Sequence, residues 1–87
     1  MTTTQDDLAQ RVRDEVLDAA RQVFAGEVDD TLDPVAAGFD SLAATEMAVA
    51  LEERLGVECT LADVFDMPSL GELADLLAER VDRAGGR

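Results

Sequence analysis

Over its three longest apolar patterns this chain places apolar residues every three or four positions. Leu8, Val12, Val16, Leu17, Ala20, Val23 and Phe24 follow this spacing, and so do Ala44, Met47, Ala48, Leu51 and Leu55. Leu70, Leu73, Ala74, Leu77 and Val81 repeat it once more. A 3.6-residue repeat gathers such positions on one face of a helix, whereas a half-buried strand requires alternation. No stretch alternates over strand length, so the chain buries its apolar side chains by packing helices on one another. Its 87 residues suffice for one domain. There is no Trp or Tyr, and the three Phe are Phe24, Phe39 and Phe65, so Leu, Val and Ala must form most of the core.

Capping residues divide the pattern into elements. Thr4-x-x-Asp7 has the form of a capping box and predicts a first helix from about Gln5 to Ala25, stopped by Gly26. A long connection follows from Glu27 to Phe39. Leu32, Val35 and Phe39 are expected to pin it against the helices, and Pro34 to stiffen it. Asp40 is placed to cap a second helix that runs through Leu55 and ends at Gly56. Thr60-x-x-Asp63 opens a short third helix, Leu61 to Asp66, and Met67-Pro68 breaks the chain after it. Ser69-x-x-Glu72 then starts the last helix. The expectation is an all-α bundle of three long helices and one short one, a single domain over residues 1–87. Its folded core spans about 5–82, with 1–4 and 83–87 frayed.

Charge narrows the choice of partners. Twenty acidic residues against seven Arg, with no Lys and no His, give a net charge of −13. Such a surface repels nucleic-acid phosphates and anionic membranes alike. Cys59 is the only cysteine, which excludes an intrachain disulfide. The N-terminus lacks a basic region followed by an apolar stretch, and no uncharged run exceeds six residues. A monomeric cytoplasmic protein is expected.

The stretch that carries chemistry is Gly38-Phe39-Asp40-Ser41-Leu42. It puts a Ser hydroxyl at a helix N-terminus, where unpaired N–H groups and the macrodipole favour a phosphate ester. Gly38 allows a tight approach and keeps bulk away from the hydroxyl. Asp40 caps the helix, and its carboxylate is suited to assist a metal ion during phosphoryl chemistry on Ser41. Catalysis by Ser41 itself is disfavoured, since a Ser nucleophile needs a His or Lys base and the Gly-x-Ser-x-Gly elbow is missing. Asp29, Asp33 and Asp40 occupy positions one, five and twelve of a calcium-loop window. Pro34 stands there where Gly is required, so no resident metal site is expected. On these residues alone Asp-Ser is also an ordinary helix start, and a cofactor-free acidic helical adaptor stays open as an alternative.

Over about Asp33 to Leu77 the chain resembles the acyl carrier and peptidyl carrier protein family. Gly38-Phe39-Asp40-Ser41-Leu42 is similar to its Gly-x-Asp-Ser-Leu attachment motif. Glu46, Ala50-Leu51-Glu52-Glu53, Gly56, Phe65 and Pro68-Ser69-Leu70 follow at the family's distances. The resemblance implies a non-enzymatic carrier with a 4'-phosphopantetheine arm on Ser41. A phosphopantetheinyl transferase would install the arm from coenzyme A with magnesium, Gly38, Asp40 and Leu42 flanking the attachment point. The arm would tether acyl or aminoacyl groups as thioesters for loading, condensing or tailoring enzymes. The Leu61–Phe65 and Pro68–Leu70 stretches lean towards polyketide and nonribosomal-peptide carriers. Met1 and the lack of linkers suggest a stand-alone protein.

Beside the core stripe of the second helix, Leu42, Thr45 and Val49 form another at i, i+3 and i+7. Glu46, Glu52 and Glu53 flank it, and Asp63 and Asp66 extend the acidic rim. An exposed apolar strip edged with acid suits brief docking onto basic partners. Cys59 is read as a small buried hydrophobe and not as a reactive thiol.

Overall fold

A computed structural model describes the chain over residues 4–85, and its side chains over 7–84. Five helices follow in order: α1 Thr4–Val23, α2 Pro34–Ala37, α3 Ser41–Leu55, α4 Leu61–Asp66 and α5 Leu70–Gly85. The described residues contain no strand. The three long helices and the short α4 are those expected, while α2 is a single extra turn inside the long connection. The box expected at Thr4-x-x-Asp7 depends on side chains outside the described residues, as does any fraying of 1–3 and 86–87.

The core is where the periodicity puts it. Val12, Val16, Ala19 and Ala20 of α1 are buried with Ala44, Met47, Ala48 and Leu51 of α3 and Leu70, Leu73, Ala74 and Leu77 of α5. Val64 of α4 is fully buried beside them, and Leu55 and Val81 are half-buried at the edge. Each fully buried Leu contributes roughly 1.5–3 kcal/mol relative to an exposed one. Ion pairs fasten the periphery: Arg54 of α3 reaches Glu15 and Asp18 of α1 at 3.1 and 2.8 Å. Being partly exposed, these pairs contribute little individually.

Two helix ends differ from expectation. α1 stops at Val23, although the Phe24 N–H still bonds the Ala20 carbonyl at 2.9 Å. Gly26 does not adopt a positive φ, so it is not a left-handed cap. α5, by contrast, continues through Gly85 where fraying was expected from Arg83. Arg83 pairs with Glu79 at 3.0 Å, the favourable i,i+4 order, near the negative end of the helix dipole.

The connection from Glu27 to Phe39 is fixed by backbone bonding as much as by apolar contact. The Leu70 and Gly71 N–H groups, free at the start of α5, donate to the carbonyls of Leu32 and Asp30 at 2.9 and 2.8 Å. A Cβ at residue 71 would lie 3.0 Å from the Asp30 oxygen, so Gly71 permits this approach. Arg13 holds Asp30 at 3.1 Å from the other side. Leu32 and Phe39 pack on the core as expected. Val35 does not: Asp33 caps α2, Pro34 turns inward at its first position, and Val35 is left 61% exposed.

Candidate functional site

At Gly38-Phe39-Asp40-Ser41 one helix ends and the next begins with only Phe39 between the caps. Gly38 has φ 89°, and its N–H reaches the carbonyls of Pro34 and Val35. The Phe39 N–H donates to Pro34 at 3.0 Å. This is a Schellman ending, in which the residue after the glycine is an apolar anchor. Phe39 fills that role at 7% exposure, with Pro34 buried as well. A Cβ on residue 38 would meet nothing within 4 Å. Glycine is therefore needed for its left-handed backbone, not, as the sequence suggested, to clear space near the hydroxyl.

Asp40 follows in an extended conformation, and its Oδ1 accepts the Ala43 N–H at 2.8 Å. Ser41 is the first residue of α3 and is exposed. No described residue hydrogen-bonds its hydroxyl. The N–H groups of Ser41 and Leu42 lie in the first turn, at the positive end of a 15-residue helix. A phosphate ester on the Ser41 oxygen therefore fits here: it would project into solvent beside unpaired donors.

The apolar strip expected beside Ser41 lies on the surface. Leu42 is 67% exposed and Val49 48%, and Thr45 between them is exposed too. Sequence reasoning missed two further exposed apolar residues, Val35 on α2 and Leu61 on α4. The only signal for Val35 was its place after an inward Pro. Between Arg21 and Arg54 the chain has no cation and eight acidic residues: Glu27, Asp29, Asp30, Asp33, Asp40, Glu46, Glu52 and Glu53.

Of the acidic rim, Glu46, Glu52, Glu53 and Asp66 are exposed, and Glu52 also accepts the Cys59 N–H at 3.0 Å and ties the loop after α3. Asp63 is partly buried and paired. Thr60 and Asp63 form a reciprocal capping box, and the Asp63 carboxylate is gripped by both Arg80 guanidinium arms at 2.6 and 3.2 Å. Those Arg80 hydrogen bonds, joined by the Thr60 cap, hold its carboxyl below the usual range despite partial burial. A depressed pKa contributes stability that is complete above the ordinary carboxylate value and is lost as pH falls through the folded value. Asp63→Asn should therefore lower the melting temperature at neutral pH, and the gap to wild type should narrow below about pH 4. Thermal melts over a pH series check this, and a gap constant into acid would mean the pair adds no electrostatic stability.

Cys59 is buried, and burial pushes its thiol up to about 12, with Asp63 and Glu52 adding to the effect. It behaves as the small hydrophobe expected. Asp29, Asp33 and Asp40 each serve a local turn or cap: Asp29 accepts from Thr31, Asp33 from Val35, Asp40 from Ala43. No group of three or more His, Cys, Asp or Glu among the described residues is arranged to hold a metal ion. No helix among them is long and apolar enough to cross a membrane.

The solvent-facing Ser41 at the Asp40-capped start of α3 suits the attachment point of a carrier-type protein. Residues 10–77 match the family described as "Phosphopantetheine attachment site", and the chain belongs to that family. It is 42% identical over 50 residues to the polyketide synthase ThaG of Burkholderia thailandensis, 58% of this chain and 1% of that protein. It is 37% identical over 60 residues to the bassianolide nonribosomal cyclodepsipeptide synthetase of Beauveria bassiana, 69% of this chain and 2% of that protein. The chain thus spans one or two hundredths of these relatives. No solved structure matches it. As a member of this family the chain is a carrier domain for a covalent 4'-phosphopantetheine arm.

Proposed function

We propose that Ser41 bears the arm and that the chain serves polyketide or nonribosomal-peptide assembly as a single, monomeric, cytoplasmic carrier domain. The observation that carries this reading is the Ser41 hydroxyl, exposed and unbonded to any described residue at the Asp40-capped start of α3. The resemblance to a polyketide synthase and a nonribosomal synthetase supports the pathway class. When attached, the arm supplies a terminal thiol that holds acyl or aminoacyl groups as thioesters. The chain's own part is to present and to dock. Ser41 Oγ attacks the pantetheine-bearing phosphorus of coenzyme A, the pyrophosphate bridge breaks and adenosine 3',5'-bisphosphate leaves, and the serine proton passes to a base of the transferase, since this chain has no His or Lys. Mass measurement of the intact chain after incubation with a phosphopantetheinyl transferase and coenzyme A tests this reading. A gain of one arm supports it, and an unchanged mass returns the chain to the cofactor-free adaptor.

Docking of the transferase and of loading, condensing and tailoring enzymes is assigned to Leu42, Thr45 and Val49, with Glu46, Glu53 and Asp66 as the acidic rim. Neither nucleic acid nor membrane is a partner of so acidic a surface. Leu42→Ala should weaken transferase binding at every salt concentration, by at most roughly 1.5–3 kcal/mol, the range for burying one Leu. Reversing Glu46 and Glu53 together should slow association, and the wild-type rate should fall as salt rises. Glu52 is unsuitable for charge reversal, since its carboxylate also holds the Cys59 N–H. Stopped-flow binding across a salt series measures both effects. Salt-independent binding together with a normally binding Leu42 variant would place the partner surface elsewhere.

A further inference from the structure

Phe24 lies one residue beyond α1, and its ring stacks on that of Phe39 with centroids 5.0 Å apart and planes inclined by 28°. Phe39 in turn stands two residues before Ser41. A Cβ built on Gly26 would fall 2.7 Å from Phe24 Cε2 and 3.1 Å from Cζ. The Phe24 ring is thus folded over residue 26, and glycine there makes room for it. Residue 39 is consequently held twice, by its N–H bond to Pro34 and by its ring against Phe24. Residue 40 is held next, through its cap on Ala43. Ser41 follows directly on these restraints and has none of its own beyond the helix backbone.

The geometry points to Phe24 as a positioning residue for arm attachment: through Phe39 it fixes the Asp40–Ser41 junction, so that the Ser41 hydroxyl meets the transferase in one orientation. This rests on Ser41 being the attachment point. Phe24 lies off the exposed strip of α3, so its removal should leave docking intact and reduce only the fraction of encounters in attack geometry. That predicts a fall in kcat at nearly constant KM for the carrier.

The test is steady-state loading of the full chain by a phosphopantetheinyl transferase with coenzyme A. Three variants are compared: Phe24→Leu keeps apolar bulk without a ring, Gly26→Ala displaces the ring with both Phe in place, and Phe24→Tyr restores an aromatic face. Phe24→Leu should lose roughly tenfold or more in kcat, as small misplacements of a reacting group do, with KM little changed. Gly26→Ala should lose less, and Phe24→Tyr should load like wild type. Amide exchange at Ala43 and Ala44, whose N–H groups Asp40 accepts, should quicken in Phe24→Leu while Leu77 in α5 is unaffected. Wild-type kcat in Phe24→Leu, a rise in KM alone, or exchange quickened equally throughout α5 would overturn the inference. Wild-type chain run in parallel separates the two levels: no loading of Ser41 there removes the attachment reading itself, whereas normal loading with indifferent variants removes only the role of Phe24.

Discussion

Phe39→Ala is expected to lower the stability of the fold by about 3 kcal/mol or more, the usual cost of deleting a buried ring. The side chain is 7% exposed and stacks on Phe24, so its loss empties space in the middle of the connection between α1 and α3. It also removes the apolar anchor of the Schellman turn at Gly38. Small domains have only about 5–15 kcal/mol in all, so the variant should melt some 12 °C or more below wild type, at about 4–8 °C per kcal/mol. Differential scanning calorimetry measures the shift directly. An unchanged melting temperature would mean that the ring is not packed and that the connection is held by its backbone bonds to α5 alone.

Ser41→Ala should have the opposite profile, with loading eliminated and the fold untouched. The Ser41 hydroxyl makes no bond to a described residue, and alanine is the best helix former for the position it would take. The Asp40 cap and the Schellman turn before it do not involve the Ser41 side chain. Helical circular dichroism and melting temperature should therefore match wild type, while the mass after transferase treatment stays that of the bare chain. A variant that lost both loading and stability would show that Ser41 has a structural part which the geometry does not reveal.

Much of this was legible in the residues because the signals were local. Asp40, Thr60 and Gly56 cap as their types dictate, and helix periodicity located Val12, Val16, Met47, Leu51, Leu73 and Leu77 in the core. The exposed strip of Leu42, Thr45 and Val49 followed from the same arithmetic, as the face left over once the core stripe is assigned. What escaped depends on pairs distant in sequence. Gly26 reads as a helix stop until the Phe24 ring is seen over it, and nothing in the order of residues pairs Phe24 with Phe39. Asp63 reads as a surface acid because its partner, Arg80, lies 17 residues away on another helix. Gly71 reads as an unremarked helix residue until the Asp30 carbonyl is found against it. Val35 misleads for a different reason: a one-turn helix has no periodicity to read, so nothing in the sequence shows which way it faces.

Peptide mass mapping of the wild-type chain after transferase treatment tests Ser41 as the attachment point. Ser41 and Ser69 are the only serines in the sequence, and each stands at a helix start. They differ in that Ser69 Oγ accepts the Glu72 N–H at 3.2 Å, whereas the Ser41 hydroxyl has no described partner. The arm should appear on the peptide containing Ser41 and on no other. An arm on Ser69, on a threonine, or still acquired by Ser41→Ala would contradict it.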